Sequence, residues 1–326
     1  MISSTFIFGV ILSFTTTLSN GASSFQLLAP YIQRTKTSMS VETFTDDLSD
    51  RPGLTLGFIG CGTIASAIVT GFLTQNEIPI SAVYVSRRSQ SKSSALAQKY
   101  GDRIIICDDN QKIVDSCGTL FVCVLPEKEE EIISGLTIGN DKTLISLVST
   151  SKVKDLIDRS GLPVEQVYKM ICLPAVAKLE GTPLLVPPNT SDLHRLISTL
   201  GGGTCINCKD ESIMEAMMVT TCMMGPIYGL MKRNRDYLVG QGVPAGDASF
   251  VVGRQYYGMV KDALTDCENP DRFDNLVEEQ TPGGLNEQTL RNLDGEGFLD
   301  TYEKAMGAVL SRIQGKTDGS IPTQND

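Results

Sequence analysis

Tryptophan is absent from the chain, and a single histidine, His194, serves all 326 residues. One imidazole excludes Ser-His-Asp triads, Cys-His dyads and histidine-based metal sites by count. His194 follows Asp192 in what reads as a surface helix, so any chemistry runs without imidazole. Basic residues are also short: 28 Lys and Arg against 38 Asp and Glu leave a net charge of −10. A chain this acidic has no general attraction for nucleic acid or for an anionic membrane. A disulfide framework is missing too. The nine cysteines are unpatterned and sit mostly in apolar stretches, as at Cys107, Cys123 and Cys172, which fits small buried hydrophobes in a reducing compartment. Cys205 and Cys208 form a lone CxxC with no second pair, so no metal is assigned.

What is present is a soluble globular composition, 41% apolar and 20% charged, at a length that suits two domains after trimming. The apolar run 5–14 has the length of a signal-peptide core and is too short to span a bilayer stably. No acid precedes Glu42, and the stretch from Thr15 to Ser40 is rich in Ser and Thr. Residues 1–50 therefore read as a targeting presequence and linker. They resemble the two-part plastid presequence of algae with secondary plastids, so a plastid is the expected location, with cytoplasm or mitochondrion as the alternatives.

Strand-like runs recur at Thr55–Gly60, Ala82–Ser86, Arg103–Cys107, Thr119–Val124, Thr143–Val148 and Val167–Ile171, with helical segments between them. Leu184–Val186 and Thr204–Ile206 extend the series. This alternation predicts a doubly wound, mostly parallel α/β sheet of Rossmann type over 54–208. After about Lys209 strand signals stop. Ile213–Val239 is one long Met-rich apolar stretch, and Pro244–Cys267 and Phe298–Ile313 have helical spacing. An all-helical domain over 209–314 and a disordered tail over 315–326 follow. So long an apolar helix has little of its own chain to pack against, and burial in a homodimer or larger homo-oligomer is the natural solution.

Gly60-Cys61-Gly62-Thr63-Ile64-Ala65 follows a strand and opens a helix, the context that makes GxGxxA informative. Gly60 permits the tight turn, Gly62 lets the backbone approach a pyrophosphate, and Ala65 allows close helix–strand packing. The helix N-terminus offers free N–H groups to the anion. At the end of the next strand, Ser86, Arg87, Arg88 and Ser89 include no carboxylate to hold a ribose hydroxyl and repel a 2′-phosphate. Two guanidiniums and two hydroxyls suit that phosphate, so the expected cofactor is NADP(H).

The runs LGFIGCGTIASAIVTGFL, VYVSRRS and TPGGLNEQTLRNLDGEGF resemble pyrroline-5-carboxylate reductase, over about residues 54–314. The resemblance implies a Rossmann-type domain, a helical domain interleaved with a second copy, and hydride transfer from NAD(P)H to the C=N carbon of a cyclic imine, giving proline. Carried over by position, Gly60, Gly62, Thr63 and Ile64 match the phosphate turn, and Ser86–Arg88 match the 2′-phosphate loop. Val124, Leu125 and Pro126 match a loop beside the cofactor, without its lysine. Thr281, Pro282, Gly283 and Gly284 match the turn that lines the imine site. The departures cluster at the substrate. Leu285, Asn286 and Glu287 stand where the family has a Thr-bearing pair on the imine nitrogen and carboxylate. Cys172-Leu173-Pro174-Ala175 lacks the asparagine of a turn near the nicotinamide, Met223–Tyr228 replaces a glycine-rich helix start, and Ser149-Thr150-Ser151 replaces an Ala-Ala-Gly loop. Asn286 can donate and accept hydrogen bonds. Two roles are open to Glu287: substrate contact, or a helix-start acid behind an Asn286 N-cap. A substrate other than pyrroline-5-carboxylate, a ketoacid included, and an NADP(H)-binding protein without turnover are the alternatives. A β-hydroxyacid dehydrogenase is disfavoured, since Lys232 and Asn234 are too close to share a helix face.

Overall fold

The computed structural model describes residues 53–87 and 90–320. The presequence, Arg88, Ser89 and the last residues of the tail lie outside them. The sheet has eight strands in the order β3-β2-β1-β4-β5-β6-β7-β8, comprising β1 (Leu54–Ile59), β2 (Ile80–Ser86), β3 (Ile104–Cys107), β4 (Thr119–Val122), β5 (Thr143–Ser146), β6 (Val167–Ile171), β7 (Leu184–Val186) and β8 (Ile206–Asn207). Every pairing is parallel except β6 with β7. The strand order reverses between β1 and β4, which makes their carboxyl ends the ligand crevice of an open α/β sheet.

Six helices flank the sheet: α1 (Thr63–Thr74), α2 (Gln90–Tyr100), α3 (Asn110–Ser116), α4 (Pro126–Ser134), α5 (Val153–Ser160) and α6 (Asp192–Ser198). Helix α1 buries Ala65, Ile68, Val69 and Phe72. Phe58 of β1 stacks on Phe121 of β4 with ring centroids 4.7 Å apart, and Phe72 meets Phe121 at 5.6 Å. Such pairs add about 0.5–1.5 kcal/mol beyond their buried area, and here they fix α1 on the two strands that form the crevice. Gly71 lets α1 approach the short turn at Pro174–Lys178, since a Cβ there would lie 2.4 Å from the Val176 carbonyl oxygen.

Several strands are shorter than the hydrophobic runs that announce them. β4 stops at Val122 and β5 at Ser146, because the chain then turns into loops held by specific hydrogen bonds. Beyond β8 the chain is helical: α7 (Glu211–Cys222), α8 (Met224–Gly240), α9 (Ala245–Ala263), α10 (Arg272–Glu278), α11 (Leu285–Gly295) and α12 (Phe298–Ile313). The Met-rich stretch is thus two helices meeting at Met223, with Pro226 in the first turn of the second, where a missing N–H is tolerated. By length and composition alone Glu211–Gly240 could cross a membrane. In the fold α7 buries Met214, Glu215, Met218 and Val219, whereas α8, α10, α11 and α12 bury no residue fully. Tyr237 and Phe250 are 68% and 70% exposed.

Candidate functional site

The glycine turn joins β1 to α1. Gly60 has φ +97°, a conformation side chains rarely adopt, and a Cβ there would lie 2.4 Å from the Cys123 carbonyl oxygen. Over Gly62 nothing lies within 4 Å of where a Cβ would stand, so the backbone is open to a ligand. Gly62 is the N-cap of α1, no side chain caps the helix, and its first turn carries no acid. Among the described residues the free N–H groups and the positive end of the helix dipole meet no anion, which fits a pyrophosphate. Lys92 Nζ donates to Thr63 Oγ1 at 3.1 Å and adds positive charge at the same end.

At the end of β2 the side chains divide. Ser86 is buried, and its hydroxyl accepts from Gly60 N–H at 2.9 Å and donates towards Asn110 Oδ1 at 2.7 Å. It braces the glycine turn. Arg87 is exposed, and its guanidinium pairs with Asp108, which follows β3. The β2 end by itself holds no carboxylate, yet the fold brings one there from twenty-one residues away. Arg88 lies outside the described residues. Val124 and Leu125 follow β4, and Pro126 opens α4 with Leu125 as N-cap, 60% exposed at the crevice edge.

A buried polar network beyond β4 has no signal in the sequence. Glu129 of α4 accepts from Ser146 Oγ at 2.6 Å and from Ser151 Oγ, with Arg159 Nη1 at 3.5 Å. Lys169 of β6 is 1% exposed, and its Nζ donates to the carbonyls of Ser149 at 2.7 Å and Ser151 at 2.9 Å. Burial lowers the Lys169 pKa, opposed by the carboxylates of Glu211, Glu215 and Glu129. Lys152 pairs with the buried Glu215, and Glu211 accepts from the Val153 amide at 3.1 Å. Both ends of the loop after β5 are therefore fastened.

Cys61, Cys123 and Cys172 follow β1, β4 and β6. Burial raises all three, Cys172 to about 12, so they stand as protonated thiols and poor nucleophiles. Among the described residues no cluster of His, Cys, Asp and Glu has the makings of a metal site.

The second group of expected residues lies between α10 and α11. Gly284 N–H donates to the Thr281 carbonyl at 2.8 Å across a turn with Gly283 at φ +71°. An open cavity of about 520 Å³ adjoins it, lined by Gln280, Pro282, Gly283, Glu287 and Arg291, among others from the segment 277–291 alone. Helix α11 starts two residues earlier than Asn286 as N-cap requires: Gly284 is the N-cap, and Asn286 lies inside the first turn. Glu287 is also in that turn, facing the cavity and bonded to Arg291 Nη1 at 2.7 Å. None of the described glycine-turn or β2 residues lines this cavity.

A protein-family profile described as NADP oxidoreductase, coenzyme F420-dependent, matches residues 55–150. The chain is 22% identical over 266 residues to pyrroline-5-carboxylate reductase of Escherichia coli, covering 79% of this chain and 97% of that protein. It is 26% identical over 273 residues to the Haemophilus influenzae enzyme of the same name, covering 79% and 96%. Among solved structures, 1-pyrroline-5-carboxylate reductase of Streptococcus pyogenes aligns with a TM-score of 0.67 at 17% identity, covering 81% of this chain and 99% of the other. The Plasmodium falciparum pyrroline carboxylate reductase, solved with NADP bound, aligns at 0.66 and 18% identity, covering 82% and 98%. These structures share the fold, an α/β Rossmann-like sheet followed by helices.

Proposed function

We propose that this chain, a distant member of the pyrroline-5-carboxylate reductase family, reduces a cyclic imine with NADPH, the hydride passing to the carbon of the C=N bond. At the coarser level we infer an NADP-dependent oxidoreductase of the pyrroline-5-carboxylate reductase family. The observation that carries the cofactor in this reading is the uncapped, acid-free start of α1 beside Gly60 and Gly62, with Arg87 at the end of β2 to take a 2′-phosphate, while the imine rests on the likeness to the relatives.

The cofactor supplies the hydride; the chain's own residues bind and orient. The N–H groups at the start of α1 hold the pyrophosphate. Ser86 keeps the turn open at Gly60, and the loops after β4, β5 and β6 flank the reacting end. A protonated imine is already electrophilic, so proximity to the reduced ring provides most of the catalysis and no imidazole is needed.

The substrate turn carries Leu285, Asn286 and Glu287 where the family contacts imine and carboxylate. The ion pair of Glu287 with Arg291 at the cavity supports a substrate that is not, or not only, pyrroline-5-carboxylate. The test is NADPH oxidation by residues 50–326 with pyrroline-5-carboxylate and with its homologue one methylene larger. Turnover with pyrroline-5-carboxylate typical of a proline-forming reductase overturns the altered-substrate reading. NADPH binding without turnover over a broad imine panel overturns the reductase reading in favour of a non-catalytic NADP(H)-binding homologue.

The exposed aromatic faces of α8 and α9, and the lack of fully buried residues in α8, α10, α11 and α12, support a homo-oligomer in which a second copy covers these helices. A monomer by light scattering at micromolar concentration would refute it. For residues 1–50 a plastid destination is our reading, and a fluorescent fusion that stays in the cytoplasm rejects it.

A further inference from the structure

Lys169 and Glu129 stand out because each carries a titratable group deep inside the sheet region and neither belongs to the expected site. An aliphatic residue at Lys169 would fill the same space on a central strand without the desolvation that burying an ammonium entails. What the ammonium does instead is specific. It donates to two carbonyls of one loop, those of Ser149 and Ser151. From the other side Glu129 accepts the Ser151 hydroxyl, and the Ser146 hydroxyl at the start of the same loop. Ser146 Oγ in turn accepts from the Val148 amide at 3.1 Å. A buried cation and a buried anion thus grip the same short stretch, 146–151. Its continuation is tied to α7 by Lys152 with Glu215 and by Val153 N–H with Glu211.

The sheet order says where this loop lies. β5 runs between β4 and β6 and parallel to both, so its carboxyl-end loop emerges between Val124–Pro126 and Cys172–Ala175. That edge is where an open α/β sheet receives the half of a dinucleotide remote from β2 and β3.

We propose that Lys169 and Glu129 are positioning residues that clamp the loop 147–152 and so fix the nicotinamide half of the cofactor, leaving the adenosine half untouched. The inference rests on the NADP(H) reading of the crevice. A loop held only by its backbone would sample many conformations, and ordering it when the cofactor binds would weaken affinity for that half alone.

The experiment compares Lys169→Met, which keeps the stem and removes the donors, with the parent and with Leu196→Ala, a buried change in α6 away from the crevice. Ser151→Ala is run in parallel, because it cuts one of the two Glu129 ties while leaving Lys169 in place if the methionine variant fails to fold. Each protein is titrated with NADPH, followed by nicotinamide fluorescence, and with 2′,5′-ADP, which occupies only the adenosine half. Amide hydrogen exchange is measured over 147–153.

Lys169→Met is expected to weaken NADPH binding at least fivefold, lower the bound nicotinamide emission and speed exchange over 147–153. Its 2′,5′-ADP affinity stays within twofold of the parent. Ser151→Ala moves in the same direction by less, and Leu196→Ala lowers only the melting temperature. Equal losses for both ligands, or a profile like that of Leu196→Ala, overturn the inference while the cofactor reading stands. A parent protein that binds 2′,5′-ADP but shows no nicotinamide signal overturns it as well, and one that binds neither ligand overturns the cofactor reading with it.

Discussion

Substituting Asp108 with asparagine should tighten NADPH binding and leave NADH binding alone. Asp108 shares the Arg87 guanidinium and is 77% exposed, so its charge is felt mainly through water. A 2′-phosphate seated on the same guanidinium would bring its charge to roughly 6 Å from the carboxylate, the span of two acceptors on one fork. In water, unit charges at about 6 Å repel by about 0.7 kcal/mol, and a phosphate carrying about −1.5 to −2 charge roughly doubles this. Screening at about 0.15 M salt brings the figure to roughly 0.5–1 kcal/mol, or about two- to fivefold in affinity. Asparagine keeps a hydrogen-bond acceptor for Arg87 and removes the repulsion. The assay is a fluorescence titration with each cofactor at low and physiological salt. Tighter NADPH binding, larger at low salt, with NADH within twofold of the parent is the expected result. Equal shifts for both cofactors, or weaker NADPH binding, would refute the placement of the 2′-phosphate at Arg87. The companion change Arg87→Ala removes a charge-assisted contact of about 1.5–3 kcal/mol and should narrow the NADPH preference by tenfold or more.

Gly60→Ala forces a side chain into a positive-φ position against the Cys123 carbonyl, and is expected to abolish measurable NADPH binding and lower thermal stability in the same preparation. Glu287→Gln breaks the pair with Arg291 on an exposed helix, worth about 0.3–0.5 kcal/mol, so the melting temperature should fall by only about 1–2 °C. If the cavity takes the substrate, KM for the imine shifts severalfold while NADPH affinity does not. For Lys169, burial lowers the folded-state pKa below the ordinary 10.5. Above the folded pKa the unfolded chain binds the extra proton, so stability from this group rises with pH until 10.5 is passed. Urea unfolding of parent and Lys169→Met at about pH 7.5 and about 9.5 should show the difference in their stabilities moving in the parent's favour at the higher pH. No change in that difference would refute it.

Much of the fold was legible because it rests on local signals. Buried strands appear as short β-rich runs, Gly60 marks a turn that only glycine satisfies, and the amphipathic spacing of Phe298–Ile313 is the helix observed. The local geometry of the candidate site was legible where its residues are contiguous. It was not where partners meet across the sheet. Glu129 lies in the run Glu127–Glu131, which reads as a solvated helix face, and only the packing of α4 on β5 turns one of those acids inward. Lys169 occupies a strand position that pattern alone would give to an aliphatic residue. Asp108 reaches Arg87 through the pairing of β2 with β3. The N-cap of α11 shifted from Asn286 to Gly284 because the turn closed by the Thr281 carbonyl delivers the chain to the helix sooner than the side-chain preference implies.

Apart from Ala248 and Val252 of α9, the helices that follow α7 bury no residue fully within one chain. A segment in that condition has a small opening free energy of its own, so its amides should exchange through partial unfolding while those of the central strands wait for global unfolding. Where a second copy supplies the missing cover, dilution acts as a denaturant. Each tenfold fall in protein concentration removes about 1.4 kcal/mol from the assembled state by mass action. The melting temperature of this protein would then be a property of how much of it is present, and the helical half would be the part that reports it.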